Sequence, residues 1–280
     1  MSGFALRTEN LKKYYGRTRG LREGFSCDIR KGENTILLGS NGAGKSTLMN
    51  IAMNLISADS GTILINGVDC RKPESRKFVR YLPESVILPV YCNTADMTEE
   101  YGRYREDINF SDVADMFDYF GCEDLLNQYY KGKSKGEKQL MLLSLMLSGK
   151  PEFLILDEPL EGLDPINIRK VRKRIKTLCE SGTTVLQSTH RVHEVEMHQG
   201  NFLIIHDGRN IATGEFESLS NYRKLSRKIQ QELNIPESKV SFSFDSFVII
   251  EKQTLNSFPI DYSTVSSVTM EDFYFATVGQ

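Results

Sequence analysis

The sequence has 280 residues, 40% of them hydrophobic and 26% charged, with 35 basic against 37 acidic side chains and a formal net charge of −2. That balance, with a mean hydropathy of −0.34, suits a globular chain with one large α/β domain and a smaller appendage. It excludes the basic excess of a nucleic-acid surface, and no apolar run reaches the roughly 20 residues that span a bilayer, so no direct membrane insertion is expected.

From its start, Met-Ser-Gly-Phe-Ala-Leu-Arg, the chain lacks the basic stretch and apolar core of a signal peptide. Cys27, Cys70, Cys92, Cys122 and Cys179 are scattered, form no CxxC pair, and read as reduced thiols of a cytosolic protein. Phe4–Thr8, Phe25–Ile29 and Gly61–Ile65 alternate as strands of a half-exposed antiparallel sheet. Between them Ile36–Leu38 predicts a buried strand that runs into Gly39-Ser40-Asn41-Gly42-Ala43-Gly44-Lys45-Ser46-Thr47. Residues 39–46 fit GxxxxGK[ST], and a helix follows with Leu48, Ile51, Ala52 and Leu55 on one face. The glycines let successive N–H groups curl around a phosphate, to which the helix N-terminus adds the positive end of its dipole. Lys45 would reach the β- and γ-phosphates of ATP, and the Ser46 hydroxyl would ligate Mg²⁺.

Asn66-Gly67 marks a turn. From about Glu99 to Leu147 strand formers give way to helical spacing, read as a helical subdomain inserted in the α/β core. Phe153–Leu156 then predicts a buried strand ending in Asp157 and Glu158, the place where ligands bind in open α/β sheets. Asp157 would hold Mg²⁺ through water, and Glu158 would polarise the water attacking the γ-phosphate. Thr183–Leu186 is a further buried strand, and Phe202–Thr213 a hairpin turning at Asp207-Gly208. Tyr222–Leu233 reads as a basic helix, and Ser241–Ile250 as short strands. These shifts of pattern divide the chain into 1–95 (first half of an ATP-binding core), 96–148 (helical subdomain), 149–219 (second half of the core) and 220–280 (accessory extension). The expected fold is an α/β phosphate-loop NTPase with an antiparallel β subdomain, an inserted helical subdomain and a small C-terminal α+β extension.

With these motifs in this order the chain resembles the ABC (ATP-binding cassette) ATPases over residues 4 to about 218. Lys133-Ser134-Lys135-Gly136-Glu137-Lys138-Gln139 looks like the family's signature segment, and Gly162-Leu163-Asp164 like its D-loop. Thr189-His190 is similar to its switch histidine. The resemblance implies that Ser134 and Gly136 clamp the γ-phosphate of ATP held on the opposite subunit, that Asp164 contacts the partner near the nucleotide, and that His190 bonds the γ-phosphate. Tyr15 matches the aromatic that stacks on adenine, although Tyr14 beside it is equally eligible. Glu84, in Tyr81-Leu-Pro-Glu84, stands where the family usually has a glutamine, and its carboxylate can still ligate magnesium. The signature departs at Lys133, Lys135 and Glu137.

The Leu-Pro-Glu pattern, the Ser-Lys-Gly signature and the tail Met270–Gly279 look like exporters whose ATPase and membrane subunits are separate chains. That resemblance implies a head-to-tail dimer over two ATP, with an identical or paralogous second ATPase subunit. It also implies an integral-membrane transporter subunit that holds the chain on the cytoplasmic face. Tyr91, Met97, Tyr101 and Tyr104 offer an aromatic surface for that partner, or pack the helical subdomain. The competing reading is a soluble ABC protein with a regulatory or ribosome-associated role, which the absence of sustained heptads between Lys45 and Ser134 disfavours.

Overall fold

A computed structural model describes residues 3–278, except 17, 90, 106, 193–194, 196–199, 244–246 and 261. Two long strands open the chain, β1 (Phe4–Tyr15) and β2 (Thr18–Arg30), and β3 (Asn34–Leu38) leads through the glycine-rich loop into α1 (Lys45–Ala52). β4 (Ser60–Ile65), β5 (Val68–Asp69) and β6 (Val79–Leu82) follow, then α2 (Thr94–Gly102), α3 (Phe110–Phe120) and α4 (Lys135–Leu147). β7 (Phe153–Leu156), α5 (Pro165–Glu180), β8 (Thr184–Thr189), β9 (Asn201–His206) and β10 (Arg209–Glu215) complete the core. Beyond it come β11 (Tyr222–Ser226), α6 (Arg227–Glu232), β12 (Phe242–Ser243), β13 (Phe247–Glu251), α7 (Lys252–Leu255), β14 (Ser266–Ser267) and α8 (Met270–Val278).

Among the described residues the central sheet runs β10-β9-β3-β8-β7-β6, parallel except where β9 and β10 form a hairpin. Its inner strands are apolar on both faces because both faces are covered. Leu37, Phe153 and Ile155 pack toward α1 and the antiparallel sheet β2-β1-β4-β5, whereas Leu154 and Leu156 pack toward the helices α3 and α4. Ile36 and Leu38 face a third cluster that includes α8. The hairpin turns carry positive φ at both Asn66 and Gly67 and at both Asp207 and Gly208, the conformation that Asn-Gly and Asp-Gly tolerate.

Two sequence expectations are corrected. Tyr222–Leu233 is not one helix: Tyr222–Ser226 pairs antiparallel with β13, and only Arg227–Glu232 is helical. Pairing with the apolar β13 and burial of Leu225 beside Val248 and Ile250 override the basic helical pattern, and Ser226 caps the short helix by accepting from Ile229 N at 3.3 Å. Leu55 does not extend the apolar face of α1, which ends at Ala52, and it is exposed.

Arg80 of β6 ties the sheet to the helical subdomain. Its side chain is fully buried. Nη2 and Nε donate to Asp107 Oδ2 at 2.9 and 3.1 Å, and Nη1 donates to the carbonyls of Leu145, Met146 and Ser148 at 3.2, 3.0 and 2.9 Å. Arg174 of α5 adds bonds to Leu147 O and Gly149 O at 2.9 and 2.7 Å. Two arginines thus satisfy the carbonyls at the end of α4, where a cation also meets the negative end of the helix dipole. Replacing Arg80 by methionine removes its bonds to Met146 O and Ser148 O and leaves Asp107 only the longer contact with Arg105, at 4.0 Å, so it is expected to cost about 3 kcal/mol or more. The readout is a lower urea midpoint at unchanged slope; an unshifted midpoint would contradict the assignment.

Candidate functional site

The glycine-rich loop of residues 39–47 is shaped by close backbone approaches. A Cβ on Gly39 would come within 2.4 Å of Ile205 O, and one on Gly44 within 2.5 Å of Gly20 O, with Gly44 at φ +113. Only glycine fits either place. Ala43 O accepts from Gly208 N at 2.9 Å, so the β9–β10 turn holds the loop from outside. Gly44 caps α1 with no side-chain bond, and the first turn holds no acidic residue. The N–H groups at that helix end are therefore open to an anion, and a phosphate group fits the cradle.

Lys45 is almost fully buried, and its Nζ donates to Gly39 O at 2.8 Å and Ser40 O at 3.2 Å. It also lies 3.6 Å from Glu158 Oε1. His190 Nδ1 stands 2.9 Å from the same oxygen. Lys45 and His190, 113 and 32 positions from Glu158 in the chain, therefore converge on its carboxylate.

That carboxylate is aimed by a backbone constraint. Glu158 adopts φ +49, a left-handed conformation uncommon for a residue with a Cβ. Its N–H donates to Ser188 Oγ at 2.8 Å, and the Ser188 hydroxyl donates to Asp157 Oδ1 at 2.5 Å. Asp157 N in turn donates to Leu82 O of β6 at 2.8 Å. Both carboxylates are buried. Sequence reasoning passed over Ser188, which sits in the run Gln187-Ser188-Thr189-His190 and has no spacing signal of its own.

Glu84 is exposed just beyond β6. The half-buried Tyr81 phenol has its pKa pushed up, first by desolvation and then by the negative charges of Asp157 and Glu84, so both carboxylates act on this corner. Tyr81 Oη donates to Asn50 Oδ1 at 2.9 Å. Among the described residues no three His, Cys, Asp or Glu side chains converge into a metal cage. An oxygen set of Asp157, Glu84 and the Ser46 hydroxyl, completed by phosphate and water, suits Mg²⁺, which is rarely held by protein ligands alone.

Beside the loop, a Cβ on Gly20 would meet Tyr15 Cε2 at 2.9 Å and Thr47 Cγ2 at 3.0 Å. The half-exposed Tyr15 ring therefore flanks the Thr47 end of the loop; a lysine stands near each ring, Lys12 Nζ 5.3 Å from the centre of Tyr14 and Lys13 Nζ 5.6 Å from that of Tyr15.

Ser134 caps α4, and Gly136 lies in its first turn. Ser134 Oγ accepts from Glu137 N at 3.3 Å, and Glu137 Oε2 accepts from Ser134 N at 2.8 Å. This reciprocal capping box holds the Glu137 pKa below its usual value, chiefly through the Ser134 bonds. It explains the glutamate that departs from the family pattern, and the Ser-x-x-Glu spacing was a readable signal that sequence reasoning missed. Gly136 packs on Gly162, whose O would be 2.8 Å from an added Cβ, and Lys135 Nζ donates to Glu161 Oε1 at 2.5 Å. Gln139 Nε2 donates to Pro159 O at 2.8 Å. Asp164 caps α5, accepting from Ile166 N at 2.9 Å and Asn167 N at 3.0 Å, bonds that lower its pKa.

The aromatic surface read from the sequence divides. Tyr91 and Tyr104 are exposed at 76% and 77%, whereas Met97 is buried and Tyr101 packs against the helical core. Ile87 and Tyr129, not singled out from the sequence, are exposed as well, with Tyr129 edge-on to Tyr91 at 5.9 Å between ring centres.

With this geometry in hand, comparisons with known proteins agree on one family. A family profile described as "ABC transporter" matches residues 23–161. The lantibiotic transport ATP-binding protein SrtF of Streptococcus pyogenes is 33% identical over 224 residues, 79% of this chain and 95% of that protein. The linearmycin resistance ATP-binding protein LnrL of Bacillus subtilis is 32% identical over 215 residues, covering 75% and 68%. A solved structure of an ATP-binding subunit of an ABC transporter superposes with a TM-score of 0.71 at 27% identity, covering 77% of this chain and 91% of that one.

Ser188→Ala removes the acceptor for Glu158 N and the donor to Asp157. The expected outcome is a loss of about 1–3 kcal/mol in unfolding free energy. Single-turnover ATP hydrolysis is expected to slow about tenfold or more as Glu158 loses its aim. Ser188→Thr keeps the hydroxyl and should retain most of both. Parent-like stability and rate in Ser188→Ala would remove the serine from this role.

Proposed function

Because this chain belongs to the ABC transporter ATP-binding family, whose members bind and hydrolyse ATP, we propose that it is the energy-supplying subunit of an exporter. In this reading it works in a head-to-tail ATPase pair that drives a separate membrane subunit. The observation that carries the reading is the convergence of Lys45, Glu158 and His190, with Asp157 and Glu158 set by Ser188. Lys45 and the N–H groups where the loop enters α1 hold the β- and γ-phosphates, and Tyr15 stacks on adenine. Glu158 orients the attacking water, and His190, bonded to it, reaches the γ-phosphate. Bound Mg²⁺ neutralises phosphate charge; Ser46, Asp157 and Glu84 are the residues that would hold it.

One chain supplies the loop and acidic strand of one ATP site and the Ser134–Gly136 helix start of the other. Gly136 is packed on Gly162, and Lys135 is paired with Glu161, so the segment meeting the partner's nucleotide moves with the 159–164 turn of the hydrolytic strand. ATP bridging two subunits favours the closed pair by its differential affinity, and hydrolysis releases it. No helix among the described residues is long and apolar enough to cross a membrane, which suits attachment to the cytoplasmic face through a partner. Ile87, Tyr91, Tyr104 and Tyr129 are exposed apolar groups that a short helix of the membrane subunit can cover. Export as the direction draws on the relatives described as serving lantibiotic transport, linearmycin resistance and bacitracin transport.

Glu158→Gln keeps the shape and loses the charge that polarises water. Its turnover is expected to fall about 100-fold or more, with ATP binding retained and the ATP-bound dimer trapped, as read by phosphate release and gel filtration with ATP. Normal turnover in this variant would overturn the role of Glu158. Purification of the tagged chain from detergent-solubilised membranes should bring down an integral-membrane protein; recovery of ribosomes and no membrane protein would overturn the transporter reading.

A further inference from the structure

Tyr15 stands where β1 has lost one of its two neighbours. The pairing of β4 with β1 reaches Lys12, opposite Ser60, and goes no further, so that Lys13, Tyr14 and Tyr15 are paired with β2 alone. That remaining ladder is irregular, with register shifts on both sides of Lys13. Beyond Tyr15 the chain turns at once, with Gly16 at φ +59. Asp59, the residue that leads into β4, takes the place of the strand that has ended. Its N–H donates to Lys12 O at 2.8 Å, and its Oδ2 accepts from Tyr14 N at 2.7 Å. Its other carboxylate oxygen accepts from Lys13 Nζ at 3.2 Å. The Tyr14 N–H, and after it Lys13, hold the Asp59 carboxyl below its usual pKa. Lys13 Nζ stands 5.6 Å from the centre of the Tyr15 ring. One exposed side chain therefore grips three consecutive residues just before Tyr15.

We propose that Asp59 is a positioning residue for the base end of the nucleotide site: by clamping residues 12–14 it sets where the Tyr15 ring stands. The proposal rests on the reading of Tyr15 as the ring that stacks on adenine. A stacked pair depends on the separation and offset of its two rings, so a ring on a loose strand end must be ordered when the base arrives. A ring held in advance loses less freedom on binding. The bond from Tyr14 N to a carboxylate is charge-assisted and belongs to the stronger kind, and without it that N–H has no strand beside it to bond. The bonds of Asp59 go to β1, not to residues 39–47, so the phosphate end of the site is expected to be indifferent to its loss.

The test uses the full chain with Mg²⁺ and ribose-labelled fluorescent ADP, displaced in turn by ADP and by tripolyphosphate, which carries no base, alongside thermal melting. Asp59→Ala is expected to weaken ADP about three- to tenfold and to leave tripolyphosphate as in the parent. Asp59→Asn keeps an oxygen for Tyr14 N and loses mainly the exposed pair with Lys13, a kind of contact worth little, so its affinity for ADP should stay close to that of the parent. Tyr15→Ala should weaken ADP at least as much as Asp59→Ala, and the double variant should be little weaker than Tyr15→Ala, because both act through one ring. If Asp59→Ala failed to fold, Asp59→Ser, with its shorter side chain, would replace it. Parent-like ADP affinity without the carboxylate, or losses that simply add in the double variant, would overturn the proposal. So would an Asp59→Asn variant as weak as Asp59→Ala, which assigns the effect to charge. Equal losses for ADP and tripolyphosphate with a lower melting temperature would mark a merely structural aspartate and overturn it as well. If Tyr15→Ala binds ADP like the parent, the stacking reading falls and the proposal with it; if Tyr15→Ala is weakened and Asp59→Ala is not, stacking stands and the proposal alone falls.

Discussion

The left-handed turn at Glu158 is the constraint on which the rest of the site depends. Adjacent side chains on an extended strand face opposite ways, and β7 carried straight on would send Asp157 and Glu158 to different sides of the sheet. At φ +49 the chain breaks that alternation as the strand ends, and Glu158 comes within reach of Lys45 and His190. A residue with a Cβ does not take that conformation without compensation. Ser188 supplies it, with a single hydroxyl that accepts from the strained residue and donates to its neighbour. Since Ser188 belongs to β8, two residues before His190, the register between β7 and β8 fixes acid and histidine together. A one-residue slip would turn Ser188 to the other face and undo all three positions.

A second rigid element is the helix that Ser134 opens. α4 is closed at both ends, by the Ser134–Glu137 capping box at its start and by the guanidinium groups of Arg80 and Arg174 at its finish. Helix ends fray where their backbone groups are left to water, and here neither end is. Arg80 stands on β6, beside the acidic strand β7, so the helix that presents Ser134 is referenced to the same sheet that presents Glu158. The Gly136–Gly162 contact repeats that reference at the helix start. A charged group buried for this purpose carries a desolvation cost that only full hydrogen bonding offsets, and Arg80 has it.

What was legible in the sequence follows from how local each feature is. The loop at Gly39–Thr47 announces itself because steric need and phosphate chemistry both act within nine consecutive residues. The run Phe153–Leu156 before two carboxylates is similarly self-contained, and the Asn-Gly and Asp-Gly turns speak for themselves. Ser188 was not legible, because its importance lies in which strand runs beside it. Tyr222–Leu233 misled for the same reason: its charges suit a helix, and only the presence of β13 makes the first half a strand. Leu55 fell off the predicted helix face because α1 stops at Ala52. Met97 and Tyr101 differ from Tyr91 and Tyr104 only by which side of the subdomain they face, a matter of packing among α2, α3 and α4. Glu137 is the exception, a local signal that was present and simply overlooked.

The phosphate loop is also fixed from more directions than its own glycines explain. The turn between β9 and β10 takes Ala43 O, the Gly20 backbone closes on Gly44, and α8, Tyr274 included, packs beneath β3, the strand that enters the loop. These three supports come from residues 20, 208 and 274, so sequence separation as large as the chain allows is used to hold nine residues. Each support belongs to a different layer: the antiparallel sheet, the edge hairpin and the C-terminal extension. A loop built this way needs little rearrangement to receive a phosphate group, which keeps the entropic cost of binding low. It also makes the loop sensitive to any shift between those layers, since packed interfaces move as units and do not deform gradually. Tight preorganisation and susceptibility to remote control are, in this fold, two consequences of the same contacts.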